Sequence, residues 1–183
     1  RNNTIAGIQL NGNWNSANFI NVIEGNVTVD SNVIGSQTDN SINYNAVNSF
    51  STQQVNGIKL WGTGNKTAIG NILGGITAAA PVCYFNGISF LSSGNPSWIC
   101  SGNVIGGTAS GSLKNLSTSA TKTAGIIAES SVSPVLNCTG NTIRNIESGT
   151  AGSSFNIGTF GMYFSVIGGS VTASGNTIHS VKG

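Results

Sequence analysis

Five carboxylates, Glu24, Asp30, Asp39, Glu129 and Glu147, are the whole acidic inventory of this 183-residue chain. Hydrolysing a glycosidic bond takes two carboxyl groups facing each other across the scissile bond. Calcium wants six to eight oxygens, several of them carboxylates. The repeat set out below puts no two acids on adjacent rungs of one face, so the chain reads as a non-enzyme with no cofactor and no metal. The lone His179 has no carboxylate or cysteine partner in sequence and is expected on the surface. Cys83, Cys100 and Cys138 show no metal-ligand spacing. No Gly-x-Ser-x-Gly elbow with a suitable base is present.

Flat rings and long polar side chains offer a second chemistry. Trp61 and Tyr163 are potential platforms for sugar rings, with Lys59 and Glu129 as hydrogen-bonding partners, so these four residues are the candidate glycan contact. They gain meaning only if one surface carries them. That surface is the outer face of a strand that recurs as Gly57-Ile58-Lys59-Leu60, Gly87-Ile88-Ser89-Phe90, Gly125-Ile126-Ile127-Ala128 and Gly161-Met162-Tyr163-Phe164. Gly7-Ile8-Gln9-Leu10 is taken as its first copy. The face would display Gln9, Lys59, Ser89, Ile127 and Tyr163 in one column, and Asn11, Trp61, Leu91, Glu129 and Ser165 in the next. The competing expectation is that long loops fold over this face and bury Trp61 and Leu91. Trp98 falls in an inward column, and Trp14 in an apparent insertion of the first repeat.

The frame behind those columns is a recurring phrase. Asn3, Asn32, Asn71, Asn103, Asn141 and Asn176 are each followed two residues later by Ile or Leu, at intervals of 29, 39, 32, 38 and 35 residues. A unit of about 35 residues is too small to bury its own core and is completed by its neighbour. Three residues before each Asn from the second on stand Val29, Ala68, Cys100, Cys138 and Ala173. Five before stand Val27, Lys66, Trp98, Leu136 and Val171. The position between them is mostly polar: Thr28, Thr67, Ile99, Asn137 and Thr172. Period-two alternation marks strands with one buried face. The interrupted Thr column argues against a regular ice-binding face. Cys100 and Cys138 should be rung neighbours, a placement open to a disulfide or to two stacked free thiols.

Composition agrees with many short strands. Gly numbers 26, Asn 25, and only 12 residues are Asp, Glu, Lys or Arg, a mix poor in helix formers and rich in turn formers. The expected fold is all-β: a single-stranded parallel β-helix, or β-solenoid, of about five coils of ~35 residues. Residues 1–183 would be one solenoid segment. Each coil would hold a Gly-Ile-x-Leu strand, a strand ending at Gly-Asn and a short strand carrying the Ile. Loops such as Gln37 to Gln54, Gly107 to Thr123 and Glu147 to Phe160 would close it. The six asparagines would form a structural ladder along the axis. From the Gly to the motif Asn is 14 to 16 residues in four repeats and 25 in the first, hence the inferred insertion.

Phrases such as Ser-Gly-Asn-Thr-Ile and Cys-Thr-Gly-Asn-Thr-Ile resemble the repeats of right-handed parallel β-helix proteins of the pectate-lyase-like architecture. They look most like the Asn/Gly/Thr-rich arrays of large bacterial secreted or cell-surface proteins. The resemblance spans the chain and implies right-handed winding, in line with the general rule for parallel crossovers. It says little about activity, since enzymes, adhesins and fibres share the architecture. Lyases of this architecture generally use acidic calcium ligands with a basic residue, a set the acids here do not provide. The expected role is a non-catalytic structural or adhesive module, secreted or at the cell surface. Its partners would be neighbouring repeats or copies stacked end to end, with cell-surface glycans as a further partner. The alternative is a glycan-binding module or part of a polysaccharide-processing β-helix enzyme. A net charge of +2 without a basic run gives no reason to expect nucleic acid. No apolar run approaches the ~20 residues of a membrane-inserted helix. Because Arg1-Asn2-Asn3 begins in mid-motif, the segment is expected to be excised from a longer array.

Overall fold

In a computed structural model the described residues are 1–12, 16–38, 40–47, 52–119, 121–149 and 157–183. Trp14 and Asp39 lie outside them. The described residues form a parallel β-solenoid without helices, in which each strand pairs in parallel with its counterpart one coil later. Side chains from all walls meet in one continuous apolar core.

Three sheets make the walls. The glycine sheet stacks Ser16–Val22, Gln53–Trp61, Cys83–Ser92, Lys122–Ser130 and Gly158–Val166. The cysteine sheet stacks Val27–Asp30, Lys66–Ile69, Ser97–Ser101, Val135–Thr139 and Ser170–Ser174. The motif sheet carries the short Asn-x-Ile strands, from Thr4–Ile5 to Thr177–Lys182, and a second column beside them. Registers such as Ile20↔Ile58↔Ile88↔Ile126↔Met162 give about four complete coils of about 36 residues. The six motif asparagines mark the rungs.

The Ile column is the core's spine. Ile105 pairs with Leu73 and Ile143 in register, and all three are fully buried. Glycine explains how the opposite wall comes so close. A Cβ on Gly57, Gly87, Gly125 or Gly161 would sit 2.3, 2.8, 2.6 or 2.5 Å from Leu73, Ile105, Ile143 or Ile178 respectively. The Gly of Gly-Ile-x-Leu therefore leaves the space that the motif Ile of the same coil fills.

Two expectations are corrected. Gly7-Ile8-Gln9-Leu10 is not the first copy of the glycine-sheet strand. Ile8 pairs with Ile42 in the second column of the motif sheet, and Ile20 pairs with Ile58 instead. The first outward residue is thus Asn21 rather than Gln9, and the inferred insertion disappears. The loops that were to close each coil also hold a strand: Ile42–Ala46, Ile76–Ala79 and Leu113–Asn115 continue Ile8–Gly12 and run on into Thr142–Ser148. They add an inward column of Ile8, Ile42, Ile76, Leu113, Ile146 and Val181.

Candidate functional site

The asparagine ladder is continuous over all six rungs. Each Nδ2 donates to the Oδ1 of the next Asn at 2.9–3.0 Å. The backbone N–H of the same residue reaches that oxygen at 2.9–3.1 Å. From Asn71 onward the second Nδ2 hydrogen goes to a cysteine-sheet carbonyl, of Val29, Ala68, Cys100 and Cys138 in turn. The corner that aims each amide inward is left-handed in every copy. Asn2, Ser31, Gly70, Gly102, Gly140 and Gly175 all have φ between 54° and 63°, a region that costs L-residues about 1–2 kcal/mol. Glycine occupies four of the six positions. Ser31 is the second-rung exception, its hydroxyl donating to Asp30 at 2.7 Å.

Below the ladder Cys100 and Cys138 pair directly and are free thiols. Their sulfurs accept from Asn103 and Asn141 Nδ2 at 3.5 and 3.4 Å. The contact with Cys138 and its own burial push the Cys100 thiol well up. The third cysteine, Cys83, is pushed up to about 12 by burial. Tyr44 is also buried and is likewise raised to about 12, with Cys83 as a secondary cause.

One inward position is charged. Lys66 stands in the Val27, Trp98, Leu136, Val171 column yet is fully buried. Its ammonium donates to the carbonyls of Gly25, Thr63 and Gly64, and burial lowers its pKa. Glu24 holds the same turn from outside by accepting from Thr63 N and Oγ1 at 2.8 and 2.6 Å, bonds that lower its own pKa.

The four candidate glycan residues do share the outer face of the glycine sheet, on three rungs. Lys59 and Trp61 lie on the second rung, Glu129 on the fourth and Tyr163 on the fifth. Trp61 is 46% exposed, so loops do not bury it. Trp61, Leu91, Glu129, Ser165 and Ile167 border a shallow hollow of about 390 Å³. Glu129 and Tyr163 meet through a residue the motif columns did not single out. Lys122 Nζ lies 2.6 Å from Glu129 Oε1 and 3.8 Å from the Tyr163 ring centre. Phe160 packs on Tyr163 at 5.2 Å. A second hollow of about 440 Å³ lies beside this cluster, bordered by Gln54, Tyr84, Asn86, Lys122, Ile127 and Glu129. Lys122 was legible only from its place one strand-length before Glu129, on the far side of Gly125.

A shorter amide ladder underlies that hollow. Asn56 Nδ2 donates to Asn18 Oδ1 at 2.7 Å, and Asn86 Nδ2 to Asn56 Oδ1 at 2.9 Å. The next rung offers Ala124 in place of Asn, leaving Asn86 Oδ1 buried without a donor.

The described carboxylates stay apart in their engagements. Asp30 pairs with Arg1 at 3.2 Å, Glu147 with Lys114 at 3.5 Å, Glu129 with Lys122 and Glu24 with Thr63. His179 is exposed, 3.3 Å from the Ser180 hydroxyl. No cluster of three or more His, Cys, Asp or Glu suited to a metal ion occurs among the described residues. No protein-family model, curated relative or solved structure matches the chain.

Proposed function

We propose that the chain is a non-catalytic structural or adhesive module of a secreted or cell-surface bacterial protein or extracellular fibre, stacked end to end with neighbouring repeats or copies. The single observation that carries this reading is the unbroken ladder from Asn3 to Asn176. It joins each rung to the next by the same pair of hydrogen bonds, the regularity that stacking rung upon rung requires. The separate engagement of each described carboxylate supports a non-catalytic role. Right-handed winding belongs to the same reading, on the general preference of parallel crossovers. The test is incubation with a panel of neutral and acidic polysaccharides, following reducing ends and unsaturated products. No release is expected, and turnover that survives repurification would overturn the reading.

A second reading, glycan binding, is favoured by the exposed Trp61 and by the Lys122–Glu129–Tyr163 cluster on the same face. Indole platforms bind sugars through their faces, so Trp61→Ala should remove most binding to any glycan retained on an array. Retention of the same glycans by that variant and by Tyr163→Ala would count against this surface.

A further inference from the structure

Cys100 and Cys138 are neighbouring thiols in a core column whose other members are Val29, Ala68 and Ala173. Alanine thus serves the packing on either side of them. Their strands run parallel with Cys100 opposite Cys138, which sets equivalent atoms one rung, about 4.8 Å, apart. The two side chains also point the same way. Asn103 Nδ2 reaches the Cys100 sulfur at 3.5 Å and Asn141 Nδ2 the Cys138 sulfur at 3.4 Å, the same contact in both coils. The sulfurs are therefore stacked rather than turned toward each other. A disulfide needs an S–S bond of about 2.05 Å and Cβ atoms about 3.8 Å apart, closer than one rung, and both thiols are free. The spacing instead matches two metal–thiolate bonds of about 2.3 Å laid end to end.

We propose that this pair is a two-coordinate site for a soft monovalent d10 cation, copper(I) or silver(I), held between the two sulfurs along the solenoid axis. Soft thiolates select such ions, whereas carboxylates and carbonyls suit calcium and magnesium. Among the described residues no third His, Cys, Asp or Glu joins the pair, so zinc lacks its tetrahedron and calcium its oxygens. A linear two-sulfur site needs no third ligand. Binding replaces two S–H bonds by two S–metal bonds and releases two protons, which leaves one negative charge on the S–metal–S unit. The side-chain amides of Asn103 and Asn141 already donate to those sulfurs and stabilise that charge in a fully buried place. Each amide is fixed in turn by the next Asn of the ladder, so neither has to reorient when the ion enters. On these two rungs the ladder therefore serves sulfur as well as backbone, while Asn71 and Asn176 have alanine at the same place, Ala68 and Ala173.

The test is anaerobic loading of the 183-residue protein with copper(I). Because both sulfurs are fully buried, the ion is offered once to the folded protein and once during refolding. Retained metal is counted after gel filtration, affinity is read by competition with a chromogenic copper(I) chelator, and X-ray absorption identifies the ligand atoms. Cys100→Ala and Cys138→Ala introduce the residue that the column already carries at Ala68 and Ala173, so both variants should fold; circular dichroism checks this. Cys83→Ala controls for the remaining thiol. Wild type and Cys83→Ala should each retain one ion per chain on two sulfurs. Either column variant should bind copper(I) at least about a hundredfold more weakly. Retention that survives both column variants, or that disappears with Cys83→Ala, would overturn the site. Failure of wild type to hold copper(I) by either route would do the same.

Discussion

The two amide ladders are built from the same side chain and end differently. The corner ladder runs from Asn3 to Asn176, and its middle members each make three or more hydrogen bonds in full burial. The outer ladder runs through Asn18, Asn56 and Asn86 and stops where Ala124 takes the next rung. Position accounts for the difference. At the corner, each backbone N–H points inward and has only the next Asn Oδ1 to meet, so losing one amide strands several polar groups without water. On the outer face the Lys122–Glu129 pair and the Phe160–Tyr163 stack take over beyond Asn86. A repeated residue is held in every copy where its neighbours have no other partner, and is dispensable elsewhere.

The spine on which the corner ladder stands gives the largest expected effect. Ile143→Asp places an unpaired charge in full burial between Ile105 and Ile178 and should cost more than about 4 kcal/mol. Chemical denaturation that leaves its midpoint near wild type would show that this column is not the core. Next comes the direct comparison of ladders. Asn103→Ala strands the donors of Asn71 and the Ala68 carbonyl and should cost about 3 kcal/mol or more. Asn86→Ala removes one bond and an already unpartnered oxygen and should cost about 1 kcal/mol. Equal losses in the two variants would refute the distinction.

Alkaline titration probes two buried acids of the core, Cys83 and Tyr44. The folded-state pKa values of Cys83 and Tyr44, each about 12, lie above their ordinary values of 9.0 and 10.0. The folded state therefore holds its protons longer than the unfolded chain does. Their contribution is complete below pH 9 and should be lost as pH rises from there toward about 12. Cys83→Ala should remove the early part of that decline in melting temperature between pH 9 and 10. The smallest effect belongs to the corner itself. Ser31→Gly relieves a left-handed φ of 54° but loosens the unfolded chain, so a gain of about 1 kcal/mol or less is expected. A loss would mean that the Ser31–Asp30 bond outweighs the strain.

The corner ladder and the Ile spine were legible in sequence because the spacing inside the phrase is constant: the left-handed residue, the Asn and the Ile always follow in that order. The cysteine-sheet columns were legible for the same reason, being counted back three and five residues from that Asn. The column through Ile42 and Leu113 was not. It stands five residues after the motif Asn in four copies and ten in two, and a fixed-offset alignment cannot carry it across that change. The same column produced the misplacement of Gly7-Ile8, whose local pattern imitates the glycine-sheet strand while its pairing belongs to the motif sheet. On the candidate surface the outward columns followed from alternation, apart from their first-rung members. The Lys122–Glu129–Tyr163 contact did not, because it joins side chains from both sides of Gly125 and from two rungs.

The pairing of each inner glycine with the branched side chain opposite has a consequence for how such a molecule can change over time. Bulk on one wall and its absence on the other are set 16 to 18 residues apart within a single winding, so enlarging one without trimming the other jams the cross-section. Whole windings, which bring both members together, can be copied, exchanged or deleted with far less disturbance. The connecting segments that vary in length lie outside this constraint, and novelty should accumulate there while the bore of the tube stays constant.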